Sequence, residues 1–349
     1  MDRVLVVCTS RKTRGGITSV VQAHEKGEQW RKFHCLWIGT HVDKGTFMKL
    51  WMLFSGFLKY LFFLPGADIV HFHLSEFSTA KRKRIFMPFA LLLKKKIIVH
   101  FHAFSPDSTI NGEYSDLYRY LFTNADAVVV LSNYWKKVVN EKYNLGDKVK
   151  VIYNPCTVTD LPEQYDKTNT VLYAGALNQR KGYAVLIRAF AKVAKQHPNW
   201  SIVLAGNGEV EQAHELALSL SIDSQVKLLG WVSGSQKDKA YKEAKAFCLP
   251  SYAEGFPMAV LDAWAYGLPV ITTPVGGIPD IAEDGKNLLL FNPGDIEKLA
   301  DCLEQIISNA SLRANLAAES QALALTTFSI DTINHQIGDL YEELLNEKK

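Results

Sequence analysis

The sequence is poor in cysteine: Cys8, Cys35, Cys156, Cys248 and Cys302 are the only five in 349 residues, an odd number with no Cys-x-x-Cys spacing. That argues against a disulfide framework or a thiolate zinc site and makes a reducing, cytoplasmic compartment the expectation. The chain opens on an apolar run, Val4 to Val7, rather than on a basic and apolar secretory leader. A long uncharged apolar stretch is lacking too. The most hydrophobic segment, Phe47 to Leu64, holds only nine residues between Lys49 and Lys59, against roughly twenty needed to span a bilayer. The net charge of +3 shows no excess of one sign and argues against a dedicated nucleic-acid binder. Tandem repeats and low-complexity tracts are missing as well, which makes a solenoid improbable.

What is present is apolar residue, 48% of the chain, in a length that exceeds one ordinary core; two domains are the expectation. Short apolar runs at Val4–Val7, Ile69–Phe72, Ile97–Phe101 and Ala127–Leu131 alternate with helical patterns. The alternation resumes with Val171–Ala174, Ile202–Ala205, Val226–Leu228, Ala246–Leu249 and Val270–Thr272. Strand and helix in alternation indicate parallel sheets with crossover helices. Between the two series, Asn154–Thr170 reads as a linker, with a boundary near residue 165. Ligands of such sheets sit beyond the strand carboxyl ends, so the cleft between two such domains is the expected site. Phe47–Leu64 reads first as a buried core helix. The runs Lys81-Arg82-Lys83-Arg84 and Lys94-Lys95-Lys96 offer a second reading, a helix on an anionic membrane surface.

Candidate chemistry follows strands. Gly15 and Gly16 stand before a helical pattern, where open backbone and unpaired amides suit an anion; a plain flexible turn is the alternative. His71 and His73, and His100 and His102, form two His-x-His pairs, each on one strand face. No accompanying carboxylate or cysteine cluster supports a metal site, and none is expected. Gly175 to Gly182 leads from strand to helix and carries Arg180 and Lys181, cations fit to neutralise a diphosphate, or simply solvated. Gly206-Asn207-Gly208 lacks the third glycine of a dinucleotide fingerprint and reads as a turn. Gly230-Trp231-Val232 offers backbone groups to a flat base. The most informative stretch is Ser251 to Met258, running into a helix that Gly267 stops, with Pro257 suited to the first helical position. Glu254 lies before that helix and Asp262 about one and a half turns inside it, so their carboxylates suit separate hydroxyls of one extended ligand. Gly255 and Phe256 contribute amides at the helix start. The bland alternative is a cap and a solvated helical residue.

In this order the segments resemble the family 4 retaining glycosyltransferases, over almost the whole chain. Gly15-Gly16 resemble the family's loop with paired glycines, His102 its N-domain histidine, and Gly175, Leu177, Lys181 and Gly182 its Gly-x-Leu-x-x-x-Lys-Gly segment. Glu254 with Gly255-Phe256-Pro257 resembles the first half of its Glu-x7-Glu signature, and Asp262 stands at the second acid, followed by Gly267-Leu268-Pro269 and Gly276-Gly277. The resemblance implies a GT-B fold: two α/β domains of parallel sheet facing each other across a cleft. Residues 1–165 with about 330–349 would form the acceptor-side domain, and 166–329 the nucleotide-sugar domain. It also implies transfer of a sugar, with retention and without a metal or other cofactor, from a nucleoside diphosphate, UDP first, to an acceptor hydroxyl. A saccharide or lipid-linked saccharide of surface polysaccharide assembly is the expected acceptor. Glu254 would bind the donor sugar, Asp262 the ribose, Lys181 and Arg180 the diphosphate, and His102 would orient the reacting sugar. Two departures stand out: Asp262 is a methylene shorter than glutamate, and Ala176 replaces a phosphate-binding arginine, for which Arg180 is the candidate substitute. The rival readings are a sugar-nucleotide epimerase, which needs no acceptor, and an inactive sugar-binding protein.

Overall fold

The computed structural model describes residues 2–157 and 167–347. The chain divides into two compact units, residues up to 157 with 328 onward, and residues up to 327 between them. The expected boundary near residue 165 lies outside the described residues.

In the first unit β1 (Val4–Cys8), β2 (Leu36–Gly39), β3 (Ile69–Leu74), β4 (Lys96–Phe101), β5 (Ala127–Val130) and β6 (Val149–Val151) form one parallel sheet, ordered β2-β1-β3-β4-β5-β6. The helices α1 (Gly16–Glu25), α2 (Glu28–Lys32), α3 (Thr46–Phe63), α4 (Phe77–Leu92), α5 (Ser115–Thr123) and α6 (Asn133–Tyr143) connect the strands. The central strands are buried and, apart from the histidines of β3 and β4 and Lys96 at the start of β4, apolar, because both faces are covered. One face packs Val70, Phe72, Val99 and Val128 beneath Tyr60, Phe86 and Trp135. The other packs Val4, Val6, Ile98 and Val129 beneath the last helix of the chain.

The second unit repeats the plan. Its strands β7 (Thr170–Ala174), β8 (Ser201–Ala205), β9 (Val226–Gly230), β10 (Ala246–Leu249), β11 (Val270–Thr272) and β12 (Leu289–Leu290) are ordered β12-β11-β10-β7-β8-β9. Its helices are α7 (Tyr183–Ala194), α8 (Val210–Ser219), α9 (Ser235–Glu243), α10 (Met258–Ala265), α11 (Ile296–Ser308) and α12 (Ala310–Leu325). The chain then returns to the first unit as α13 (Ile330–Asn346), capped by Ser329 and burying Ile333, Ile337, Leu340 and Leu344.

In both units the strand order reverses beside the first strand, between β1 and β3 and between β7 and β10. Loops leaving such a pair of strands diverge and leave a crevice at the carboxyl edge, the usual ligand position.

One sequence expectation is overturned. Helix α3 is not a core helix: it buries only Gly56 and Tyr60, and Phe47, Leu50, Trp51, Phe54, Leu58 and Phe62 face outward. The basic run that follows is divided between interior and surface. Lys83 is buried, its Nζ donating to Thr40 Oγ1 at 2.8 Å, while Lys81 and Arg84 remain exposed.

Candidate active site

In the second unit the crevice between β7 and β10 brings together residues 73 positions apart in the chain. After β7, Asn178 caps a short turn by accepting from the Lys181 amide at 3.0 Å, and Gly182 adopts φ +69° to start α7. Any Cβ at Gly182 would stand 2.0 Å from the Pro250 carbonyl oxygen, so only glycine lets this turn lie against the end of β10. The approach is fixed further by the Tyr252 amide, which donates to the Arg180 carbonyl at 2.7 Å.

The result is a compact charged group. Lys181 Nζ donates to Glu254 Oε1 at 2.5 Å, and Ser251 Oγ donates to the same oxygen at 2.6 Å. Arg180 Nη1 donates to the Ala253 carbonyl at 2.7 Å and stands 3.7 Å from Glu254 Oε2. Glu254 is buried, whereas Arg180 keeps about a third of its side chain open. A buried carboxylate requires partners of this kind. The backbone behind it is equally close-fitted: Gly276, at φ +60°, would place a Cβ 2.2 Å from the Glu254 carbonyl, and the Gly277 amide donates to the Gly255 carbonyl at 2.8 Å.

Gly255, Phe256 and Pro257 are buried and lead into α10, with Pro257 just before the helix rather than inside it. Asp262 is buried on α10, and its Oδ2 accepts from Lys237 Nζ of α9 at 2.5 Å. Beside Arg180 a cavity of about 630 Å³ is lined by Gln179, Tyr183, Glu209 and Tyr252, and Tyr183 donates to Glu209 Oε2 at 2.9 Å. Val232 follows the edge strand β9, two strands from β7.

The sequence reading missed Ser251 as a partner of Glu254, although it opens the motif. It also missed Lys237, whose helix Ser235–Glu243 is so polar that it reads as a solvated face. The Tyr183–Glu209 pair is invisible in sequence because it joins α7 to the turn after β8.

In the first unit Gly15 adopts φ +134° before α1, and a Cβ at Gly15 or Gly16 would meet nothing within 4 Å. The glycines thus leave open space at the helix start. His102 follows β4. Its Nε2 lies 3.0 Å from His73 Nδ1, and its ring stacks on those of His73 and His100. These rings form a layer with His71 and His24. His24 Nδ1 meets Asn334 Oδ1 of α13 at 2.8 Å, and His71 Nδ1 meets the Tyr341 hydroxyl at 2.7 Å. Candidate ligand nitrogens of His71, His73 and His100 lie within 4.8 Å of one another, and the three rings are stacked. Loss of water pushes His24 down to about 4. His102, partly exposed, is pushed down to about 3, first by desolvation and then by His24. All of these imidazoles are therefore neutral near pH 7.

A Glycosyltransferase Family 4 model matches residues 4–159, and a Glycosyl transferases group 1 model matches residues 160–322. The chain belongs to these GT-B glycosyltransferases. An uncharacterized glycosyltransferase of Methanocaldococcus jannaschii is 27% identical over 79% of this chain and 75% of its own length. The lipopolysaccharide core biosynthesis glycosyltransferase LpsE of Rhizobium meliloti is 29% identical over 68% of each. Among solved structures, Anabaena HepE in complex with UDP-glucose superposes with a TM-score of 0.78 at 20% identity, over 98% of this chain and 99% of that one. Sucrose-phosphate synthase from Thermosynechococcus elongatus superposes equally well, at 0.78 with 18% identity. At these identities the likeness carries the GT-B fold. The Glu254–Asp262 segment follows β10, one of the two strands between which the order of the second unit reverses.

Proposed function

We propose that this glycosyltransferase moves a sugar from a UDP-sugar to a saccharide hydroxyl with retention of anomeric configuration, using the Lys181–Glu254 group in place of a metal. The observation that carries the reading is the shared carboxylate: Lys181 and Ser251 both donate to Glu254 Oε1, with Arg180 beside Oε2. A carboxylate has about four acceptor positions, so sugar hydroxyls can be received on the same group. Two cations held in place at one carboxylate offset the diphosphate, where negative charge grows as the glycosidic bond breaks. Preorganised charge of this kind stabilises a leaving group without rearrangement during the reaction.

Asp262 takes the ribose in this reading, with Lys237 fixing its orientation and offsetting its short side chain. Arg180 supplies the guanidinium that Ala176 lacks. Val232 lends backbone to the base. Gly15 and Gly16 admit the donor phosphates from the first unit, and neutral His102, held by His73, orients the reacting sugar. LpsE and the Salmonella lipopolysaccharide 1,6-galactosyltransferase, the latter 28% identical over 53% of this chain, are both named for lipopolysaccharide, which favours a saccharide acceptor of surface polysaccharide assembly in this reading.

A thermal-shift panel of UDP-, GDP- and ADP-sugars tests the donor. A ligand at about 100 times its Kd stabilises by about 2.7 kcal/mol, so a UDP-sugar raises the Tm by several degrees in wild type, and the shift disappears in Lys181→Met. A response to GDP- or ADP-sugars alone, or an unchanged shift in Lys181→Met, contradicts the reading.

A further inference from the structure

Among its described residues the first unit carries a surface that its own packing leaves uncovered. Phe47 and Phe62, at opposite ends of α3, are 77% and 78% exposed, and Leu50, Trp51, Phe54 and Leu58 continue the stripe between them. Single exposed apolar residues are ordinary on soluble proteins; a continuous stripe is not. The stripe extends onto α4. Phe57 packs edge-on against Phe89 with ring centroids 5.4 Å apart, and Ile85, Phe89 and Leu92 are exposed along one face of α4.

The charge around the stripe is one-sided. From Lys44 to Pro106 ten residues are Lys or Arg, and only Asp68 and Glu76 are acidic. Neither α3 nor α4 contains a carboxylate. Lys44, Lys49, Lys81, Arg84 and Lys94 are exposed around the apolar residues.

We infer that the α3–α4 face docks on an anionic lipid bilayer, with the aromatic stripe in the acyl boundary and the surrounding cations on the head groups. A helix with apolar residues on one side and cations beside them lies in the interface plane and gains from both terms. Crossing the bilayer is ruled out by how α3 is held. A Cβ at Gly56 would stand 2.1 Å from the Gly39 carbonyl oxygen, so the helix lies directly on β2. Tyr60 is buried and donates to the Phe86 carbonyl at 3.0 Å, and Lys59 donates to the Trp37 carbonyl at 3.0 Å. A second copy is the weaker occupant: a self-complementary interface would bring these cations together with no carboxylate on either helix to pair them.

Both helices begin just after strand carboxyl ends, α3 after β2 and α4 after β3. The docked face thus reaches the sheet edge that carries Gly15, Gly16 and His102. Presentation of a lipid-borne acceptor to that edge is the one consequence that rests on the proposed function; the docking itself does not.

Co-flotation of the full chain with phosphatidylcholine vesicles, with and without phosphatidylglycerol, tests the docking. At low salt the protein floats with the anionic vesicles and at least about ten-fold less with neutral ones. Leu50→Ser/Phe54→Ser/Phe62→Ser and, separately, Lys81→Glu/Arg84→Glu each reduce flotation about ten-fold or more, with unchanged circular dichroism and unchanged thermal shift by donor. Trp51 fluorescence is quenched by brominated lipid, and the signal is lost in Trp51→Phe. Three outcomes overturn the inference: no flotation on anionic vesicles at low salt, flotation indifferent to both variants, or a dimer in sedimentation that the triple variant dissociates while vesicles bind nothing. Loss of donor response with flotation intact would count against the proposed function alone.

Discussion

At the scale of single residues, charge is placed where a partner meets it. Glu254 is tolerated in the interior because Lys181, Ser251 and Arg180 surround it, and Asp262 because Lys237 reaches it. Lys83 is the contrast. Among the described residues no carboxylate pairs with it, and its Nζ donates to the neutral Thr40 hydroxyl; desolvation pushes it down from 10.5 to about 7. The folded state therefore gives up a proton near pH 7 that the unfolded chain keeps to about pH 10.5, and stability rises with pH through that window. Lys83→Met flattens the rise and stabilises the protein at neutral pH by on the order of 2–4 kcal/mol. Urea unfolding at pH 7 and pH 9 checks this: wild type gains stability between the two and the variant does not. No sequence pattern announces this residue. Lys81-Arg82-Lys83-Arg84 reads as one cationic run, yet the helical period turns Lys83 inward.

At the scale of elements, what the sequence disclosed depended on position in the sheet. Every strand flanked on both sides is predominantly apolar and was legible: β1, β3, β4, β5, β7, β8, β10 and β11. The strands that escaped, β2, β6 and β12, are all edges, and β6 and β12 have only three and two residues. The edge strand β9 was found from Val226–Leu228. Helix α3 was misjudged for the opposite reason, since apolar composition says that a surface avoids water without saying what covers it. The turns of the candidate site were legible because glycine marks close approach. Gly276 is the clearest case: its positive φ and the 2.2 Å separation from the Glu254 carbonyl leave no room for a Cβ. Gly276→Ala displaces the Glu254 loop, costs roughly 1–3 kcal/mol in unfolding free energy and lowers turnover at least ten-fold. Urea unfolding and steady-state kinetics on the same preparation measure both, and an alanine variant with wild-type turnover would show that the loop does not need this contact.

At the scale of the molecule, one plan is used twice and then specialised. Each unit reverses its strand order beside its first strand, and each has a glycine turn following that strand. The second unit gathers cations at a carboxylate. The first has a glycine-opened helix start and a neutral histidine layer, with α13 supplying Asn334 and Tyr341 to that layer. Domain number and the order of motifs were legible in the sequence because each motif follows a strand. The pairing of Lys237 with Asp262 was not, because it joins neighbouring helices rather than neighbouring residues.

The most direct test of the central claim is NMR of the transfer reaction in excess chelator, with a UDP-sugar and a saccharide acceptor, run on wild type and Glu254→Gln. Wild type releases UDP and gives a product anomeric signal of the donor's configuration, and the folded variant turns over about 10²–10³-fold more slowly. Inverted product, activity abolished by the chelator and restored by a divalent ion, or equal rates in the two proteins would contradict that claim.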